Sequence, residues 1–142
     1  MDGVSMEAVA EIRAGIMRVS RRMRSARSPD ALSGNKLVVL GHLYRNGSAT
    51  PGELAGAEGQ KPQSLTRVFA ELEAEGLVSR ARAEHDRRQV VLTITPRGAE
   101  ALRRDVQERD AWLAGALAGL SETERDVLLI AARLMGRLAD SS

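Results

Sequence analysis

Gln63 and Arg67 stand four residues apart in a stretch whose apolar residues recur with helical period, so the two share one helix face. Each side chain can make a pair of hydrogen bonds to a base edge, an amide to adenine and a guanidinium to guanine. Lys61, Ser64 and Thr66 lie in the same first turns, where backbone N–H groups lack helical partners and hydroxyls suit phosphate oxygens. Taken alone, these polar residues read better as the solvated face of an amphipathic helix. The next segment tips the balance towards a polyanion. Gly76 to Gly98 holds two β-prone runs, Leu77–Ala83 and Val90–Thr95, separated by a charged loop containing Asp86, Arg87 and Arg88. Arginines at a hairpin tip suit the narrow, electronegative minor groove of DNA, and the helix before them fits the major groove. Arg88 is the first choice for groove insertion and Arg87 for a phosphate, with Arg80 adding charge on the first strand. Asp86 would be repelled by phosphate, so its expected role is to hold Arg88 or the nearby backbone. The bland alternative is an exposed salt bridge of small energetic value.

The elements that must position these residues are mostly helical. Val9, Ile12, Ile16, Val19 and Met23 recur in steps of three and four, which makes one apolar seam from Met6 to Met23 with a basic opposite face. Pro29 ends that helix. A second is expected from about Ser33 to Arg45, with Leu37, Leu40 and Leu43 or Tyr44 inward, stopped by Asn46-Gly47. Thr50-Pro51-Gly52-Glu53 has the form of a capping box with proline at the first helical position. The short helix it opens ends near Gly59, and Lys61-Pro62 begins the next. There Leu65, Val68, Phe69 and Leu72 form the buried stripe, and Gly76 closes it. Two short helices joined by a glycine-containing turn are a helix-turn-helix, and the hairpin is its wing. Thr95-Pro96 starts a long helix to about Gly119. Ser121 and Glu124 form a second capping box, opening a last helix dense in apolar residues.

Composition narrows the classes further. The chain has 142 residues, no cysteine and a net charge of +2. The size suits one domain with a real core. Tyr44, Phe69 and Trp112 are the whole aromatic complement, so aliphatic helices must supply the core. Absence of cysteine excludes disulfides, zinc fingers and thiol-based oxidation sensing. With only His42 and His85, no metal-ligand cluster is evident, and no cofactor is expected. No nucleophile–base set or phosphate loop is present, which argues against an enzyme. No apolar run approaches the roughly 18 residues of a membrane span, so a cytoplasmic protein is expected.

The residues Leu54-Ala55, Ser64-Leu65-Thr66-Arg67, Leu72, Gly76-Leu77-Val78-Ser79-Arg80, Asp86-Arg87-Arg88 and Leu92-Thr93 leading to Gly98 resemble the multiple-antibiotic-resistance regulator (MarR) family of bacterial transcription factors. The resemblance covers nearly the whole chain. It implies a homodimeric winged helix-turn-helix that binds pseudo-palindromic operators in double-stranded DNA, usually as a repressor. It also implies a small aromatic or phenolic ligand that commonly relieves binding. The family's minor-groove arginine, two positions after the aspartate, falls on Arg88, and its recognition helix on residues 62–75. Lacking cysteine, this chain departs from the peroxide-sensing members.

The fold expected is therefore mainly α with a small β-hairpin wing. Residues 33–97 form the DNA-binding lobe, and residues 1–28 and 98–142 a helical dimerisation lobe, within one domain of residues 1–142. The last helix carries more apolar surface than it can bury alone, so Val9, Ile12, Leu113, Leu117, Leu129 and Leu134 are expected to meet a second copy. An effector pocket would lie between the first two helices and the long Pro96 helix. Ile16, Val39, Leu43 and Tyr44 are candidates for its lining, with Arg13 or His42 to meet an anion; ordinary core contacts explain these residues equally well. The competing reading is a winged-helix dimer that serves as a protein-interaction module, which Glu71, Glu73 and Glu75 leave open.

Overall fold

Each helix begins where a side chain or a proline satisfies the first turn. Ser5 caps α1 (Met6–Ser25), Ser33 caps α2 (Gly34–Asn46) and Thr50 caps α3 (Pro51–Ala57), each accepting a backbone N–H three residues on. α4 (Pro62–Ala74) opens with Pro62 after an extended Lys61 and has no side-chain cap. The strands β1 (Val78–Arg82) and β2 (Val90–Ile94) pair antiparallel, from Val78 opposite Ile94 to Arg82 opposite Val90. α5 (Pro96–Ala118) and α6 (Glu122–Asp140) complete the chain. At α6 both halves of the capping box form: Glu124 N–H donates to Ser121 Oγ at 3.1 Å, and Ser121 N–H to Glu124 Oε1 at 2.9 Å. The backbone donor at Ser121 holds the Glu124 carboxyl below its usual range. The computed structural model describes residues 3–141, and among them no helix is long and apolar enough to cross a membrane.

The chain divides into two compact units. The central one runs from Ser28 to Gln107, so the boundary falls inside α5 rather than at its start. Its core is aliphatic: Leu40 and Leu43 of α2, Leu54 of α3, Leu65, Phe69 and Leu72 of α4, and Leu92 of β2 are all buried. The α4 positions are those of a single helical stripe. On α2, Leu43 takes the inward place and Tyr44 is 66 % exposed, while Val39 joins the core beside Leu40.

The wing is anchored along the outer edge of β2 and at its base. Ala49 exchanges two backbone hydrogen bonds with Leu92, at 3.0 and 2.8 Å, which adds a one-residue third strand outside β2. At the base of the hairpin, the Thr95 hydroxyl donates to Gly76 C=O at 2.6 Å and accepts from Gly98 N–H at 3.0 Å. Thr95 thus caps α5 and ties it to the end of α4. Gly76 itself has φ +73°, the left-handed conformation that glycine adopts without penalty. Deeper in the same unit, the carboxylate of Asp105, 3 % exposed, accepts from Leu32 N–H at 3.3 Å. That satisfies a backbone donor ahead of α2.

The second unit comprises the chain up to Arg27 and from Glu108 onward. Within it, neither α1 nor α6 has a buried residue. Val9, Ile12, Leu129 and Leu134 are exposed, Ile12 by 58 % and Leu129 by 54 %, whereas Leu113 and Leu117 of α5 are half-buried.

Candidate nucleic-acid interface

Gly59, with φ +62°, turns the chain between α3 and α4, and Gln60 N–H reaches back to Ala55 C=O at 2.8 Å. This closes α3 and lets α4 start at once, leaving its first turns outside the core. Lys61, Gln63, Ser64, Thr66 and Arg67 are all exposed there, opposite buried Leu65 and Phe69. The Thr66 hydroxyl donates to Pro62 C=O at 3.2 Å, so it donates to a phosphate only after releasing that carbonyl.

Arg67 is not a loose side chain. Its Nε donates to Glu71 Oε1 at 2.9 Å, and Lys36 Nζ of α2 approaches Glu71 Oε2 at 3.4 Å and Glu75 Oε1 at 2.6 Å. The bond from Arg67, and then that from Lys36, hold the Glu71 carboxyl below the usual carboxylate range. The Glu75 contact is the main cause that raises the Lys36 ammonium above its ordinary value. Glu73 in turn pairs with Arg80 Nε at 3.2 Å, linking α4 to β1. All three acidic residues of the helix's second half are therefore matched to cations of their own unit. The exposed Arg67–Glu71 and Arg80–Glu73 pairs add little to stability.

The wing tip is built of turns around Asp86. Its Oδ1 accepts Arg88 N–H at 3.0 Å, its carbonyl accepts Gln89 N–H at 3.0 Å, and Gln89 C=O accepts Ala83 N–H at 2.9 Å. Arg82 Nη1 donates to Arg87 C=O at 3.0 Å. The loop is tied down through backbone atoms, which leaves Arg87 and Arg88 as exposed side chains at its crest.

This order of elements, with a polar recognition helix and an arginine-tipped hairpin, has matches among known proteins. The family model described as MarR family matches residues 32–89. The HTH-type transcriptional regulator Mb0904 of Mycobacterium bovis is 39 % identical over 133 residues, covering 94 % of this chain and 93 % of that one. The chain belongs to the MarR family of helix-turn-helix transcriptional regulators. That is a family of regulators, not of enzymes. The transcriptional repressor MprA of Escherichia coli K12 is 36 % identical over 103 residues, 72 % of this chain and 58 % of MprA. The crystal structure of a mutant MarR from Escherichia coli has the same fold, at a TM-score of 0.79 over 95 % of this chain and 98 % of that one, with 20 % identity.

Within this MarR-family chain the DNA-binding candidates sit together in the central unit, on α4, β1 and the wing loop. The pocket candidates are not all in one unit. Val39 and Leu43 are buried in the central core, His42 is half-buried and Tyr44 exposed, while Arg13 and Ile16 lie on α1 of the other unit. Among the described residues no group of His, Asp and Glu could hold a metal ion. Lys36, which pairs with Glu71 and Glu75 of this segment, is not singled out by sequence reasoning. The spacing of Arg67 and Glu71 signals an i,i+4 pair, but nothing local points to Lys36.

Proposed function

We propose that this MarR-family protein is a homodimeric repressor that binds a pseudo-palindromic operator in double-stranded DNA. The observation that carries the reading is the exposed set of Gln63, Arg67, Arg87 and Arg88 on two structures held in one unit, α4 and the wing. Gln63 and Arg67 read base edges in the major groove, Ser64, Thr66 and Lys61 contact phosphates, and Arg88 enters the minor groove. The name of the relative MprA, a transcriptional repressor, supports the direction of control. The rival reading as a protein-interaction module leans on Glu71, Glu73 and Glu75; each of these is bound to a cation of its own unit.

Dimerisation supplies the geometry. Two recognition helices must be spaced to meet successive major grooves, about one helical turn of DNA apart. The apolar residues of α1 and α6, none of them buried within the chain, are proposed to pack on a second copy. A small aromatic or phenolic effector, implied by the family resemblance, would act by binding better to a form whose helices are out of register. Replacing Leu129 by Asp places a charge in the proposed interface. Sedimentation is expected to show a monomer, and duplex binding is expected to be lost with it. A monomeric L129D protein that keeps full affinity would defeat the proposal.

A further inference from the structure

The carboxylate of Glu71 engages two cations through two different oxygens. Arg67 holds Oε1 through Nε, and Lys36 approaches Oε2. The Lys36 side chain is only 15 % exposed and is also bonded to Glu75, so it is an anchored charge at the α2–α4 contact. Arg67, by contrast, is 90 % exposed. Bonding through Nε occupies one edge of the planar guanidinium fork and leaves the Nη1–Nη2 edge for a ligand. A guanine presents O6 and N7 to such an edge as a matched pair of acceptors. A phosphate can take the same edge, but it is drawn mainly by net charge, which the Glu71 carboxylate offsets.

We infer that Glu71, seated by Lys36, is a positioning residue that sets the base specificity of Arg67. It presents the Nη edge in one orientation, and it lowers the attraction of Arg67 for phosphates of any sequence. The inference rests on the DNA-reading function proposed above. It adds that specificity at one base pair is determined by a residue that touches no DNA. Ordering the side chain in the free protein also removes a cost that would otherwise fall on the specific complex.

The test compares two duplexes over a range of salt concentrations: the sequence enriched by wild-type protein from a random library, and a scramble of the same composition. The proteins are wild type, Glu71→Gln, Lys36→Met, Arg67→Ala and the double variant of Glu71→Gln with Arg67→Ala. Glu71→Gln is expected to bind the scramble more tightly, with a salt slope steeper by about one unit per engaged protomer. Its preference for the enriched sequence is expected to fall about tenfold, within the range of one bidentate arginine–guanine contact. Lys36→Met, which leaves the α4 surface intact, is expected to lose preference in the same direction by a smaller factor. In the Arg67→Ala background, Glu71→Gln is expected to change the preference for the enriched sequence no further. If wild type prefers the enriched duplex and Glu71→Gln keeps both its preference and its slope, Glu71 has no such role. The same holds if the loss of preference caused by Glu71→Gln persists without Arg67. A wild-type protein that enriches no sequence removes the DNA-reading function, and this inference with it.

Discussion

Replacing Arg88 with alanine is expected to lower affinity for duplex DNA at least about a hundredfold without disturbing dimerisation. A charge-assisted hydrogen bond contributes about 1.5–3 kcal/mol, and a dimer places two such wings on one duplex, so roughly 3–6 kcal/mol of binding is at stake. The structure confines the change to the ligand side. Arg88 contributes its backbone N–H, not its side chain, to the wing turn, through Asp86 Oδ1. Truncating the side chain therefore leaves the loop's hydrogen bonds in place. The measurement is a fluorescence-anisotropy titration of a labelled operator duplex beside sedimentation of the free protein. An unchanged affinity would remove the wing from the interface, and a change in oligomeric state would show that the effect is indirect.

Gly98→Ala is expected to destabilise the central unit by about 3 kcal/mol, in the upper part of the range for overpacking. Gly98 lies buried in the first turn of α5 against the end of the wing. A methyl group there would overlap the Leu77 carbonyl oxygen and come within 2.9 Å of Ile94 Cγ1. The main obstacle is backbone, and that backbone is fixed by Leu77 C=O accepting Thr95 N–H at 3.1 Å. Relief by side-chain rotation is closed, and the small helix-propensity gain of alanine does not offset the clash. The corresponding fall in melting temperature is about 10 °C. Gly56→Ala is the control. Gly56 is helical too, but nothing lies within 4 Å of an added methyl, so the same change should leave the protein equal or slightly more stable. Thermal unfolding of both variants checks the pair; equal melting points would mean that the close approach at Gly98 carries no strain.

The features legible in the sequence are local. Thr50 and the Ser121–Glu124 box announce their helix starts because a cap and its partner lie three residues apart; at Ser121 both bonds of the box form, while Thr50 accepts Glu53 N–H without the return bond from the Glu53 carboxylate. Gly76 marks the end of α4 because a left-handed residue is needed there. The wing strands end one residue inside the β-prone runs at Leu77, Ala83 and Thr95, although a backbone hydrogen bond still joins Thr95 to Leu77 and Ala83 to Gln89. The role expected of Asp86, to hold Arg88 or nearby backbone, takes the form of a carboxylate accepting the Arg88 N–H. The features that stay hidden depend on partners far away in the chain. Asp105 carries no local mark of burial, yet it is buried and its carboxylate accepts Leu32 N–H, 73 residues earlier. Lys36 acquires its place only when α2 and α4 pack, bringing it to Glu75, 39 residues on. The one-residue bridge at Ala49 has no strand signature at all. On α2, Leu43 and Tyr44 are equivalent by periodicity, and only the packing turns Tyr44 outward.

The most direct measurement is selection of bound sequences by purified wild-type protein from a random double-stranded DNA library. An enriched inverted repeat, with half-sites about one helical turn apart, is the result expected of a dimer reading two successive major grooves. No enriched sequence at low salt, from protein shown to be an intact dimer, would contradict it.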